Sequence, residues 1–150
     1  MIERFRSGIE TGLPAPDFKV YDHENKAHRL ATIIGENGLL LGFASDIWDL
    51  GCVRHVLWLQ RQTYKLSLAG INCAMIMPNQ PYELTGFYMS IPRKIGFPLL
   101  ADPDGTPFSA YEIAYPGFVF VNNNGLVERK WFLRGDATPR LQDILQSAGV

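Results

Sequence analysis

The chain has 150 residues, 47% of them hydrophobic and 19% charged, with 14 Lys and Arg against 15 Asp and Glu. This composition excludes a disordered or fibrous protein and, at this length, describes one domain spanning residues 1–150 with a single core. Balanced charge without a basic stripe argues against nucleic acid or an acidic membrane as partner, and no stretch approaches the roughly 18 apolar residues of a membrane span. Residues 1–6 carry no apolar run of signal length, so the expected location is cytoplasmic.

Gly12-Leu13-Pro14-Ala15-Pro16 is a stiff entry segment. Residues 17–21 alternate apolar and polar before Asp22-His23-Glu24-Asn25 turns the chain into Ala27-His28-Arg29-Leu30, which predicts an N-terminal hairpin. Residues 31–34 read as a short helical or irregular piece ended by Gly35. Leu39-Leu40-Leu41-Gly42-Phe43-Ala44 is a near-continuous apolar run, of the type covered on both faces in a parallel sheet. Val53, Leu57, Tyr64 and Leu68 then share one helical face, widened by Val56, Trp58 and Leu59, so residues 53–68 are predicted as a helix stopped at Gly70. Ile71-Asn72-Cys73-Ala74-Met75-Ile76-Met77 is a second buried strand, closed by Pro78, and residues 82–90 form a helix that must end before Pro92. Strand, helix and strand at this spacing predict a right-handed crossover.

Phe97-Pro98-Leu99-Leu100 is a short strand-like piece and Asp102-Pro103-Asp104-Gly105 a turn. Thr106-Pro107 fits an N-cap followed by proline at the first position of a helix reaching Ile113. Phe118-Val119-Phe120-Val121 and residues 126–132 flank Asn122-Asn123-Asn124-Gly125, whose Asn-Gly end supplies the positive φ angles of a tight hairpin. Thr138-Pro139 repeats the cap-plus-proline pattern and opens a terminal helix with Leu141, Ile144 and Leu145 on one face.

Cys52 falls where the first buried strand gives way to the long helix. Unpartnered N–H groups and the positive end of the helix dipole favour a thiolate there, and such placement lowers an ordinary thiol pKa of about 8.5. The alternative is a small, packed apolar residue. Cys73, inside an apolar strand, is expected to be buried and inert.

The element order, together with several local motifs, resembles the thioredoxin fold as elaborated in peroxiredoxins of the alkyl hydroperoxide reductase and thiol-specific antioxidant family. Gly12-Leu13-Pro14-Ala15-Pro16-Asp17-Phe18 is similar to the family's Gly-x-x-Ala-Pro-Asp-Phe opening. Phe97-Pro98-Leu99-Leu100-Ala101-Asp102-Pro103-Asp104-Gly105 is similar to its Phe-Pro-Leu-Leu-Ser-Asp-Pro-Asp-Gly segment, and residues 118–125 to its Phe-Ile-Ile-Asp-x-x-Gly hairpin. The resemblance implies an α/β architecture with a central mixed sheet flanked by helices and an N-terminal β-hairpin.

The family's reactive cysteine ends the motif Pro-x-x-x-Thr-x-x-Cys, which lies over residues 45–52 with Cys52 matched, Ser45 in place of the proline and Asp49 in place of the threonine. A carboxylate at 49 opposes a thiolate unless it is protonated or turned away. Where the family carries an arginine ahead of the hairpin strand this chain has Pro116, and Tyr115-Pro116 resembles the cis-proline corner of thioredoxins. Trp48-Asp49-Leu50-Gly51-Cys52 is similar to the thioredoxin Trp-Cys-Gly-Pro-Cys stretch with its first cysteine changed. The resemblance implies Cys52, Asp49 and Arg54 as the catalytic group, Arg54 supplying positive charge in the first turn, and Ser45, Trp48, Tyr115 and Pro116 as the substrate-binding group. His55 lies within helical reach of the thiol.

No cysteine occupies a usual resolving position, so oxidation of Cys52 to sulfenic acid requires an external thiol reductant. No metal or other cofactor is expected: His23, His28 and His55 are scattered, and no phosphate-binding or hydrolase motif occurs. Two functions remain. One is a thiol oxidoreductase reducing a small-molecule peroxide, or acting on a thiol or disulfide protein partner, through Cys52. The other is a catalytically degenerate binding module or redox sensor that offers the aromatic surface around Trp48, Trp58 and Tyr115 to a partner. The helix face with Trp58 and Leu59 suits either the core or a homodimer contact.

Overall fold

The structure, a computed structural model, describes residues 7–92, 94–132 and 138–150, so the leader reading at residues 1–6 lies outside the described residues. Seven strands form one mixed sheet: β1 (Lys19–Asp22), β2 (Ala27–Arg29), β3 (Gly38–Phe43), β4 (Ile71–Met77), β5 (Leu99–Ala101), β6 (Gly117–Val121) and β7 (Val127–Trp131), in the order β2-β1-β5-β4-β3-β6-β7. Five helices accompany it: α1 (Leu30–Ile33), α2 (Leu50–Leu68), α3 (Pro81–Ser90), α4 (Thr106–Ala110) and α5 (Leu141–Ser147). This is the expected α/β thioredoxin-like arrangement, with β1 and β2 paired antiparallel as the N-terminal hairpin.

The two strands with continuous apolar runs lie at the centre because both of their faces are covered. β3 pairs parallel with β4, Leu40 opposite Cys73, and antiparallel with β6, Gly42 opposite Phe118. Alternation along each strand sends residues to two cores. Leu40, Cys73, Met75, Met77, Phe118 and Phe120 pack beneath α2, α3 and α5, whereas Leu39, Leu41, Phe43, Ala74 and Ile76 pack with α1, Phe108 and Tyr111. Gly42 is required by close approach: a Cβ there would strike the Met75 thioether and the Phe118 ring.

Several boundaries differ from expectation, for identifiable reasons. α2 begins three residues before the predicted Val53 because Asp49 caps it, its carboxylate accepting the Gly51 N–H at 3.0 Å. α4 takes Gly105 (φ 74°), not Thr106, as its N-cap, and ends at Ala110 rather than Ile113. The Asp102 carboxylate reaches across that turn to accept the N–H groups of Thr106 (2.8 Å) and Phe108 (3.0 Å). α5 begins only after Arg140, whose guanidinium pairs with Asp143 at 3.2 Å, so Thr138-Pro139 precedes the helix without capping it. In the hairpin turn only Gly125 (φ 78°) has positive φ, while the Asn122 carboxamide oxygen accepts the N–H groups of Asn124 and Leu126 at 2.9 and 3.0 Å. Among the described residues no helix is long and apolar enough to cross a membrane.

Candidate active site at the start of helix α2

The loop from Ala44 to Asp49 leaves the C-terminal end of β3 and delivers Cys52 to the third position of α2. Asn79, buried just beyond β4, fixes this loop from the side: its oxygen accepts the Ile47 N–H at 3.3 Å and its amide donates to Asp46 at 3.3 Å. Asp46 in turn accepts the Trp48 N–H at 2.9 Å. Asn79 was not among the expected site residues. Its only signal is an Asn closing an apolar strand ahead of Gln80-Pro81, a pattern that reads equally as an ordinary turn.

The expectation of an ionised, solvent-reachable Cys52 is corrected by the structure. The residue is 0% exposed, within the apolar cluster that holds Ala44, Ile47, Val56 and Phe118. Burial, followed by the carboxylates of Asp49 and Asp46, pushes its thiol up to about 12. A helix terminus contributes about 0.3–1 kcal/mol toward an anion, less than one pKa unit, whereas desolvation of a fully buried group reaches about 3–5 units. The donors that would serve a thiolate are also engaged, since Gly51 donates to the Asp49 side chain and Cys52 N–H donates to the Asp49 carbonyl at 3.0 Å. Asp49 itself is exposed and held below the usual carboxylate range, first by the Gly51 N–H and then by the Ser45 hydroxyl, so it is ionised at neutral pH.

Ser45 therefore acts on Asp49. Arg54 is exposed on α2, and the charges that shift the thiol are the two carboxylates rather than this guanidinium. His55 is buried, its ring edge-on to Phe118 with centroids 5.5 Å apart. The cis expectation at Tyr115-Pro116 is corrected too, since no described peptide bond is cis. Tyr115 packs edge-on to Phe132 at 6.2 Å and lines a separate cleft of about 590 Å³ with Ser7 and Lys130.

The expected single aromatic surface is divided by the fold. Trp58 packs edge-on to Phe118 at 5.1 Å while staying partly exposed, and Leu59 is fully buried, so this helix face contributes to the protein's own core. Trp48 alone projects outward, at 85% exposure. Cys73 is buried as expected, its thiol pushed up to about 12 mainly by desolvation, with a hydrogen bond to Thr63 acting the other way. Both cysteines are free thiols. Among the described residues no group of His, Cys, Asp and Glu is arranged to hold a metal.

The fold is similar to that of peroxidoxin BcpB from Mycobacterium tuberculosis, with TM-score 0.80 and 16% identity over 94% of this chain and 97% of that one. A structure assigned as thiol:disulfide interchange protein DsbE from Chlorobium tepidum gives TM-score 0.77 and 21% identity over 94% and 99%. The reduced 2-Cys peroxiredoxin of Plasmodium vivax gives 0.75 and 18% over 94% and 81%. No curated protein matches the chain by sequence. The AhpC/TSA family model matches residues 11–130, which include the Gly12–Phe18 and Phe97–Gly105 segments, the β3–α2 junction and the turn between β6 and β7, and the protein therefore belongs to this family of thiol oxidoreductases and peroxidases.

Proposed function

We propose that this protein is a thiol oxidoreductase acting through Cys52 alone, with a closed resting state that keeps the thiol protonated until the first turn of α2 opens. One observation carries the reading. The sulfur stands at the family's cysteine position on α2, yet it is 0% exposed with its pKa pushed up to about 12. At pH 7 that leaves about one thiolate in 10⁵, against a few per cent for an ordinary cysteine.

In the opened state the thiolate attacks one oxygen of a peroxide. The O–O bond breaks, the departing oxygen takes a proton, and sulfenic acid remains on Cys52. An external thiol then attacks this sulfur, expelling water and leaving a mixed disulfide, and a second external thiol restores Cys52 while carrying the disulfide away. Cys73 is held in β4 beside Thr63 and takes no part in resolution.

Stopped-flow oxidation with hydrogen peroxide tests the proposal. The rate constant at neutral pH is expected to lie about a thousandfold or more below that of free cysteine and to climb roughly tenfold per pH unit from neutral pH upward, with Cys52→Ser removing the reaction. A rate that saturates below about pH 7 would overturn the closed resting state, because it requires a thiolate already formed.

A further inference from the structure

Beside the loop that carries Cys52, a groove of about 360 Å³ runs between Ile47 and Trp48 on one side and Tyr82, Glu83, Gly86 and Phe87 of α3 on the other. Its walls are aromatic and open, Trp48 being 85% exposed and Tyr82 75%, and Ser90 closes the lining one turn beyond Gly86. Side chains of this size are normally withdrawn from water, and their convergence beside a concave surface marks an interaction site. Gly86 is a second and independent sign. It lies in the middle of α3 without positive φ, and a Cβ built on it meets nothing within 4 Å. Glycine is the poorest helix former after proline, and no packing or backbone demand here asks for it; with no side chain longer than a methyl group at this position the groove floor stays clear.

Glu83 is the one charged side chain lining the groove among the described residues, its carboxylate also accepting the Gln80 N–H at 2.9 Å, and the exposed Asp46 and Asp49 stand on either side of Trp48 in the loop. We infer that this groove docks an extended segment of a partner protein that presents an apolar side chain next to lysine or arginine. The apolar side chain enters between Trp48 and Tyr82 above Gly86, and the cations meet Glu83, Asp46 and Asp49 at the rim, an arrangement that also suits cation–π contact with the two rings. The inference rests on the groove alone and is independent of the state of Cys52.

Two capped hexapeptides test it, Lys-Lys-Leu-Phe-Lys-Lys and its charge-reversed twin Glu-Glu-Leu-Phe-Glu-Glu, titrated by isothermal calorimetry into each variant, with the Trp48 indole N–H also followed by NMR in the unmodified protein. The cationic peptide is expected to bind at least about tenfold more tightly and to weaken as salt rises. Gly86→Leu and Trp48→Ala are expected to weaken it about tenfold or more, whereas Gly86→Ala leaves it within about twofold. Neither position contributes to the core, so these variants remain folded, and thermal melts check this. Equal binding of the twins, absence of binding, or indifference to Gly86→Leu would overturn the inference. Dilution-dependent Trp48 shifts without peptide would also overturn it, by assigning the groove to a second copy of the chain.

Discussion

At the start of α2 the carboxylate of Asp49 accepts a backbone N–H in contact with solvent; at the start of α4 that of Asp102 accepts two, from Thr106 and Phe108, at 3% exposure. Both are aspartates capping a helix, yet they titrate in opposite directions. Asp49 is held below the usual carboxylate range by its hydrogen bonds, whereas desolvation outweighs a larger set of hydrogen bonds and lifts Asp102 above it. Between these two, burial outweighs the number of donors; at the equally buried Asp22 the hydrogen bonds from Lys26, His28 and Glu24 win instead and its carboxyl is lowered. Linkage then separates their contributions to stability. The part from Asp49 is present above about pH 4 and lost as pH falls through its depressed value; the part from Asp102 is present below about pH 4 and lost as pH rises through its raised value.

The two junctions rest on different cores. Phe118 is 1% exposed and supports Trp58 and His55 beneath α2, while the α4 side leans on Phe43 against Phe108 and Tyr111. Phe118→Ala is expected to cost about 3–5 kcal/mol in urea unfolding and to speed alkylation of Cys52. Unchanged alkylation would mean that the thiol is sealed by something other than this cluster. Asp102→Ala strands the N–H groups of Thr106 and Phe108 and is expected to cost about 1–3 kcal/mol, with no effect on Cys52. The smallest effect belongs to Asp49→Asn, which retains a capping side chain but removes a charge near the thiol. There the midpoint of Cys52 alkylation against pH should fall while stability at neutral pH changes little; an unmoved midpoint would remove Asp49 from the electrostatics of the thiol.

Much of this architecture is legible in sequence because its signals are local. The run from Ile71 to Met77 matches β4 residue for residue, and Gly70 and Pro78 bracket it. Helix α3 begins within one residue of expectation, at Pro81. The helix starts are less legible, since a capping Asp can stand directly before a helix, as Asp49 does, or a whole turn before it, as Asp102 does. The state of Cys52 is the least legible feature of all. Its position on a helix start is local information, but its burial depends on Ala44, Val56 and Phe118, contributed by separate elements. For the same reason Trp48 and Trp58 look alike as residues and have unlike surroundings, one in solvent and one against Phe118.

Gly42 in β3 carries a consequence for how such a junction changes over evolutionary time. Any side chain there collides with Met75 and Phe118, and Phe118 touches both Trp58 and His55 on the helix that bears the sulfur. A lineage drifting toward a faster or slower thiol thus has a route through bulk on the far side of that aromatic ring, with every residue of the loop itself left unaltered.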